Sequence, residues 1–149
     1  MSRAPFQVLV LPFRHNEGGN LEYAVFKRRD EEYWQFIAGG GENMEKPIDT
    51  AKREASEEAG ISPESEYIIL DSRNTVPVEG VTGEFTWGED VYVIPEYAFG
   101  VKLDSDVITL SREHTKYRWV SYENAAEMLK WDGNKNALWE LNARISRQT

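Results

Sequence analysis

Glu54, Glu57 and Glu58 crowd one short stretch of this chain, in the run Arg53-Glu54-Ala55-Ser56-Glu57-Glu58, downstream of Gly39-Gly40-Gly41. Carboxylates supply hard oxygen donors, and several of them on one helix behind a glycine loop suit a divalent cation held over a phosphate. The first expectation is therefore metal-dependent phosphate chemistry.

The surrounding residues must form the helix that presents these groups. Pro47 suits a first helical position, where its missing N–H costs nothing. Gly60 suits the position just past the end, where a left-handed conformation is often needed. Between them Ile48, Ala51, Ala55 and Ala59 fall on one narrow apolar face, at about 100° per residue. Glu54, Glu57 and Glu58 occupy an adjacent arc beside that face. The ordinary alternative is a solvated acidic surface. It fits poorly, because Glu54 and Glu58 are i,i+4 neighbours that repel, and negative charge in a last turn opposes the helix dipole. A bound cation removes both penalties, and Arg53 beside the cluster can orient one carboxylate.

Composition limits the options. The chain has 149 residues, enough for one domain with a core. Its longest apolar stretch, Phe6 to Phe13, is strand length and holds Pro12, so no membrane-spanning helix is expected. Met1-Ser2-Arg3-Ala4-Pro5 leads straight into that stretch, and no secretory leader is expected. With no cysteine, disulfides, zinc-thiolate sites and thiol nucleophiles are excluded, which fits a cytoplasmic location. A net charge of -9 argues against coating a nucleic-acid polymer. A small phosphorylated substrate would have to be attracted locally.

Periodicity predicts strands at Gln7 to Leu11, Leu21 to Lys27, Tyr33 to Ile37, Glu66 to Asp71, Asp90 to Ile94, Glu96 to Val101 and Lys116 to Val120. The segment from Ser72 to Glu89, with Pro77, Gly80, Gly83 and Gly88, reads as irregular. Ser121 is expected to cap a helix running to about Lys130, and a last helix is expected over Lys135 to Ile145. Trp131 and Trp139 read as helix packing.

Residues Gly39 to Ile61 resemble the Nudix box, G-x5-E-x7-R-E-U-x-E-E-x-G-U with U aliphatic. Gly39, Glu45, Arg53, Glu54, Glu57, Glu58, Gly60 and Ile61 stand in register at its fixed positions, with Ala55 at an aliphatic one. Ala38 departs from the Pro that many members carry there. The resemblance implies an α/β (α+β) fold: an α/β/α sandwich with a mixed sheet and a catalytic loop-helix-loop, as a single domain over residues 1–149. It implies hydrolysis of a nucleoside diphosphate linked to another group. Glu54, Glu57, Glu58 and the Gly39 carbonyl would be ligands to Mg²⁺ or Mn²⁺, with Arg53 orienting and Glu45 supporting the start of the helix. The blocks FKRRDEEYWQFIAGGGE and REHTKYRWVSYENAAEMLKWDGNKNALWEL resemble the bacterial dihydroneopterin triphosphate, or dATP, pyrophosphohydrolase subfamily.

That subfamily keeps a Glu outside the box, where Glu113 stands, and it would accept a proton from water or bind metal. Glu89-Asp90 is the rival acidic pair, and His114 reads more readily as a structural histidine. Arg28 and Arg29 present planar forks suited to phosphate oxygens. Strand alternation allows at most one of them to face the site. Trp34 or Tyr33 could stack on a pterin or purine ring, or belong to the sheet core. The expected reaction takes dihydroneopterin triphosphate or a (d)NTP to the monophosphate and pyrophosphate. Dinucleoside polyphosphates, nucleotide sugars, ADP-ribose or a non-catalytic sensing role are the alternatives. Monomer and homodimer are both open.

Overall fold

The computed structural model describes residues 3–29, 32–80, 87, 90–104, 108–112 and 114–148. Among these residues seven strands form one mixed sheet, built around the long strand β1 (Arg3–His15). Its C-terminal end pairs antiparallel with β2 (Leu21–Arg28), and its N-terminal half pairs antiparallel with β4 (Ile37–Glu42). On its other side β1 runs parallel to β6 (Val93–Lys102), which pairs antiparallel with β5 (Glu66–Pro77). The short β3 (Trp34–Gln35) and β7 (His114–Val120) both pair with β2.

Alternation along β1 builds two cores. Val8 and Val10 point to the face covered by α1 (Pro47–Ala59), together with Ala24, Phe26, Ile37 and Phe99. Leu9, Leu11 and Phe13 point to the face covered by α2 (Tyr122–Met128) and α3 (Asp132–Arg147). The expected small face of α1 is realised: Ala51, Ala55 and Ala59 are fully buried against the sheet. Small side chains allow the helix axis close to the strands, which brings its flanking carboxylates down to the level of β4. The helix stops where expected, because Gly60 takes a left-handed conformation (φ 69°), and the Gly60 and Ile61 amides donate to Ser56 and Ala55 carbonyls.

The structure differs from the sequence expectations in four places. The glycines after Ile37 lie inside β4 rather than in a loop. β5 continues to Pro77, across a register shift between Ile69 and Arg73, into the segment expected to be irregular. It is an edge strand with much of its surface in water, so its polar residues carry no apolar alternation. β6 is one strand through Pro95, because pairing with β1 begins only at Glu96 and no ladder N–H is needed there. Finally, α3 begins at Asp132 and includes Gly133 and Asn134, Trp139 (58% exposed) faces solvent instead of packing, and Trp131, before the helix, is half-exposed and packs on Tyr33 rather than in the core.

A carboxylate ties α3 to β5. Glu140 accepts hydrogen bonds from the Asp71 amide (2.7 Å), the Ser72 amide (2.7 Å) and hydroxyl (2.6 Å), and Arg144 Nε (2.7 Å). Burial acts to raise its carboxyl, but these donors outweigh it and hold it down at about 2. A folded-state value below the ordinary 4.5 means that the stabilisation is complete above 4.5 and lost as pH falls through about 2. Thermal melts from pH 6 to 2 should therefore show Glu140→Gln with a flatter acid-side decline than the wild type. Parallel curves would refute the assignment.

Candidate active site

Each of the three glycines in β4 gives its Cβ space to a different side chain. A Cβ on Gly39 would lie 2.1 Å from the Glu54 carboxyl carbon, and one on Gly41 2.4 Å from the Phe6 ring. Gly40 points the other way, where a Cβ would meet the Arg3 guanidinium at 2.2 Å. The glycine strand is thus clasped on its α1 face by Glu54 and Phe6 and on its opposite face by Arg3. Strand geometry persists despite three glycines because their neighbours supply the packing that side chains would otherwise give.

Arg53 holds the α1 face together. Its Nε and Nη2 donate to Glu45 (2.9 and 3.0 Å), and Nη2 also donates to the Gly40 carbonyl (2.9 Å). Its Nη1 lies 3.0 Å from Glu54 Oε1 and 3.3 Å from Glu57 Oε2. Glu45 in turn accepts from the Glu42 amide (2.8 Å) and the Thr50 hydroxyl (2.9 Å), which fixes the turn from β4 into α1. Hydrogen bonds from Arg53 are the main reason the Glu45 carboxyl is held down at about 2.

The three box carboxylates sit differently. Glu54 and Glu58 are buried, whereas the Glu57 side chain is 56% exposed at the rim. Burial pushes the Glu54 carboxyl up to about 7, against the pull of Arg53 and with added repulsion from Glu57 and Glu58. Glu58 turns toward β7. Its Oε2 accepts from the Ser111 hydroxyl (3.0 Å) and stands 3.1 Å from Nδ1 of the buried His114, an ion-pair distance without hydrogen-bond alignment. Among the described residues, no three acidic or imidazole side chains form a ready-made cation cage. The donor chemistry nevertheless fits a hard divalent ion. Glu54 and Glu57 bring oxygens to the same atom, Arg53 Nη1, and Glu54 is a buried carboxylate whose raised pKa marks a negative form under-compensated by the protein.

The flanking candidates are distributed as follows. Glu113 and Glu89 lie outside the described residues, and Asp90 is exposed. Alternation from Phe26 puts Arg28 on the α1 face, with its backbone opposite His114. Arg29 is exposed and donates from Nε to the Arg112 carbonyl (2.6 Å). Trp34 is half-buried on the α3 face against that core, while Tyr33 meets Trp131 edge-on at 5.4 Å. The sequence reading missed Arg3. Its guanidinium is half-buried within the electrostatic reach of Glu54 and Arg53, and its buried Nε has no hydrogen-bond partner among the described residues. Nothing local marks Arg3, because its role follows from strand pairing that brings it back over Gly40.

Gly39→Ala separates this geometry from stability. The obstructing atoms belong to the flexible end of Glu54, so the carboxylate can swing aside and the fold should survive with a loss of about 1–3 kcal/mol. Denaturant melts should show a folded protein, and divalent-cation affinity by calorimetry should fall at least about tenfold. Unchanged cation affinity would overturn the role given to the Gly39–Glu54 contact.

Comparison with known proteins agrees with this geometry. The NUDIX domain family model matches residues 6–140. A dihydroneopterin triphosphate diphosphatase of Haemophilus influenzae is 26% identical over 131 residues, covering 87% of this chain and 83% of that protein. An asymmetrical bis(5'-nucleosyl)-tetraphosphatase of Sus scrofa is 32% identical over 112 residues, covering 72% of this chain and 69% of that protein. The crystal structure of a Nudix hydrolase from Listeria monocytogenes superimposes with a TM-score of 0.86 at 44% identity, covering 97% of both chains. Members of this family generally work with a divalent metal ion. The box in register, the mixed sheet with α1 laid on its glycine strand, and these similarities together show that the chain belongs to the Nudix family and is a Nudix hydrolase.

Proposed function

We propose that the protein is a Mg²⁺- or Mn²⁺-dependent pyrophosphohydrolase that converts dihydroneopterin triphosphate or a (d)NTP to the monophosphate and pyrophosphate. The observation that carries this reading is the meeting of Glu54 and Glu57 on one guanidinium nitrogen, against the Gly39–Gly40 backbone. The related Haemophilus protein, named for dihydroneopterin triphosphate, supports the substrate class.

In this reading Glu54, Glu57, Glu58 and the Gly39 carbonyl hold the metal. When bound, the ion offsets polyphosphate charge and makes water a better nucleophile at neutral pH. The protein's own groups do the rest. Arg53 keeps Glu54 and Glu57 aimed at one place, and Ser111 and His114 keep Glu58 from rotating. Glu113, or a box carboxylate, takes the proton from the attacking water. Arg28, on the α1 face, binds a phosphate oxygen as charge builds on the leaving group. Arg29 is the alternative to Arg28 for that contact, and Trp34 is a candidate contact to the ring.

The Sus scrofa relative favours a second reading, in which the substrate is a dinucleoside polyphosphate. Product analysis decides between the two. With Mg²⁺, pyrophosphate release should be fastest from dihydroneopterin triphosphate and stop with EDTA, whereas cleavage confined to a diadenosine polyphosphate would select the alternative. Glu57→Gln should lower kcat/KM by about 100-fold or more, as removal of a group that stabilises developing charge does, while circular dichroism stays unchanged. Near-normal turnover in that variant would refute the ligand assignment.

A further inference from the structure

One buried carboxylate plays no part in the site described so far. Glu96 is 6% exposed, on β6. In the strand ladders Gly40 stands opposite Gln7, Gln7 opposite Glu96, and Glu96 opposite Asn74. Cross-strand partners share a face, so these residues make one continuous row over four strands, on the α3 side of the sheet. Arg3 closes the row at one end by lying over Gly40. At the other end the first turn of α3 comes down on Asn74, where a Cβ on Gly133 would lie 2.8 Å from Asn74 Nδ2. The adjacent row, Ala38, Leu9 and Ala98, is apolar and belongs to the α3-side core.

This row borders the Glu54 cluster through β4, and among the described residues β4 pairs only with β1. No described strand covers its other edge, where Arg53 reaches the Gly40 carbonyl, and a polyphosphate would cross there from one face to the other. From Gly40 to Glu96 is two strand spacings, about 10 Å, the length of a bicyclic ring with its sugar or side chain.

The hydrogen bonding of the row is one-sided. Gln7 Nε2 donates to Glu96 Oε2 at 2.7 Å, and the Asn74 amide also donates to Glu96. Both amides thus spend donors inward and leave carbonyl oxygens as acceptors. The carboxylate has room for about four donors and receives two from the described residues. Burial raises the Glu96 carboxyl despite these two donors, which marks an anion short of partners. What is missing is a pair of adjacent N–H donors.

We propose that Gln7, Glu96 and Asn74 select substrates carrying a 2-amino-4-oxopyrimidine ring, whose neighbouring ring N–H and exocyclic NH₂ form the donor–donor edge shared by guanine and pterins. Adenine offers an acceptor beside its amino group and leaves the carboxylate unpaired. The proposal rests on the pyrophosphohydrolase reading for its consequence in turnover, but ring selection is measurable without it.

Calorimetry in EDTA with GMP and AMP tests the ring directly. The wild type should bind GMP at least about tenfold tighter than AMP, the scale of one or two charge-assisted hydrogen bonds. Glu96→Gln should erase that gap and leave AMP affinity within about threefold. In turnover with Mg²⁺, the same variant should lower kcat/KM for GTP and dihydroneopterin triphosphate, mainly through KM, and spare ATP. If Glu96→Gln melts too low for use, the exposed Asn74→Ala should narrow the gap in the same direction. Equal GMP and AMP binding by the wild type would overturn the proposal, as would a variant that weakens both nucleotides alike, since that is the mark of a purely structural network. A GMP preference without turnover of any triphosphate would sink the triphosphate-substrate reading and leave ring selection standing.

Discussion

Arg53 is the interaction on which the arrangement of the site depends. Four carboxylates, Glu45, Glu54, Glu57 and Glu58, are gathered around one face of α1 and the turn before it. Two like charges 4 Å apart repel by about 4 kcal/mol at an effective dielectric near 20, so such a cluster does not assemble unaided. Arg53 engages Glu45, Glu54 and Glu57 at once and anchors the group to the sheet through the Gly40 carbonyl. A planar fork with five donors does this, whereas a lysine ammonium has neither the reach nor the geometry. The position of α1 over β4 and the aim of its carboxylates are therefore set by the same side chain.

The glycine strand is the second constraint. Because Gly39 and Gly41 yield space on one face and Gly40 on the other, β4 is thin enough for two sets of polar groups to approach it from opposite sides. The carboxylate cluster occupies the α1 face and the Arg3–Gln7–Glu96–Asn74 row the α3 face. In the proposed reading, phosphate chemistry and recognition of the attached group lie on different faces of one sheet.

Much of the fold was legible before any coordinates. The alternating strand cores, the box helix from Pro47 to Ala59 and its Gly60 stop all follow from local pattern. The misreadings share one origin: residues whose local propensity was overruled by a distant neighbour. Gly39 to Gly41 read as a loop because glycine is a poor strand former, and only Glu54, Arg3 and Phe6 make them strand. The last helix was expected only from Lys135, yet it takes in Gly133 and Asn134, where Asn134 accepts from the Phe36 amide (2.8 Å) and Gly133 admits Asn74. Trp139 read as helix packing, but the apolar stripe of α3 through Leu138, Leu141 and Ile145 leaves it outside.

The string of residues alone sufficed for the family and for a hydrolase of that family, because the motif lies within a single loop and helix, where spacing translates directly into direction. It could not say that Glu57 lies at the rim while Glu54 and Glu58 are buried, since that depends on how far α1 rolls on the sheet. Nor could it reveal Arg3 above Gly40, or the row joining Gly40, Gln7, Glu96 and Asn74. Those residues come from separate strands far apart in the chain. Their meeting is a matter of pairing register, and a slip of one residue would send each side chain to the opposite face.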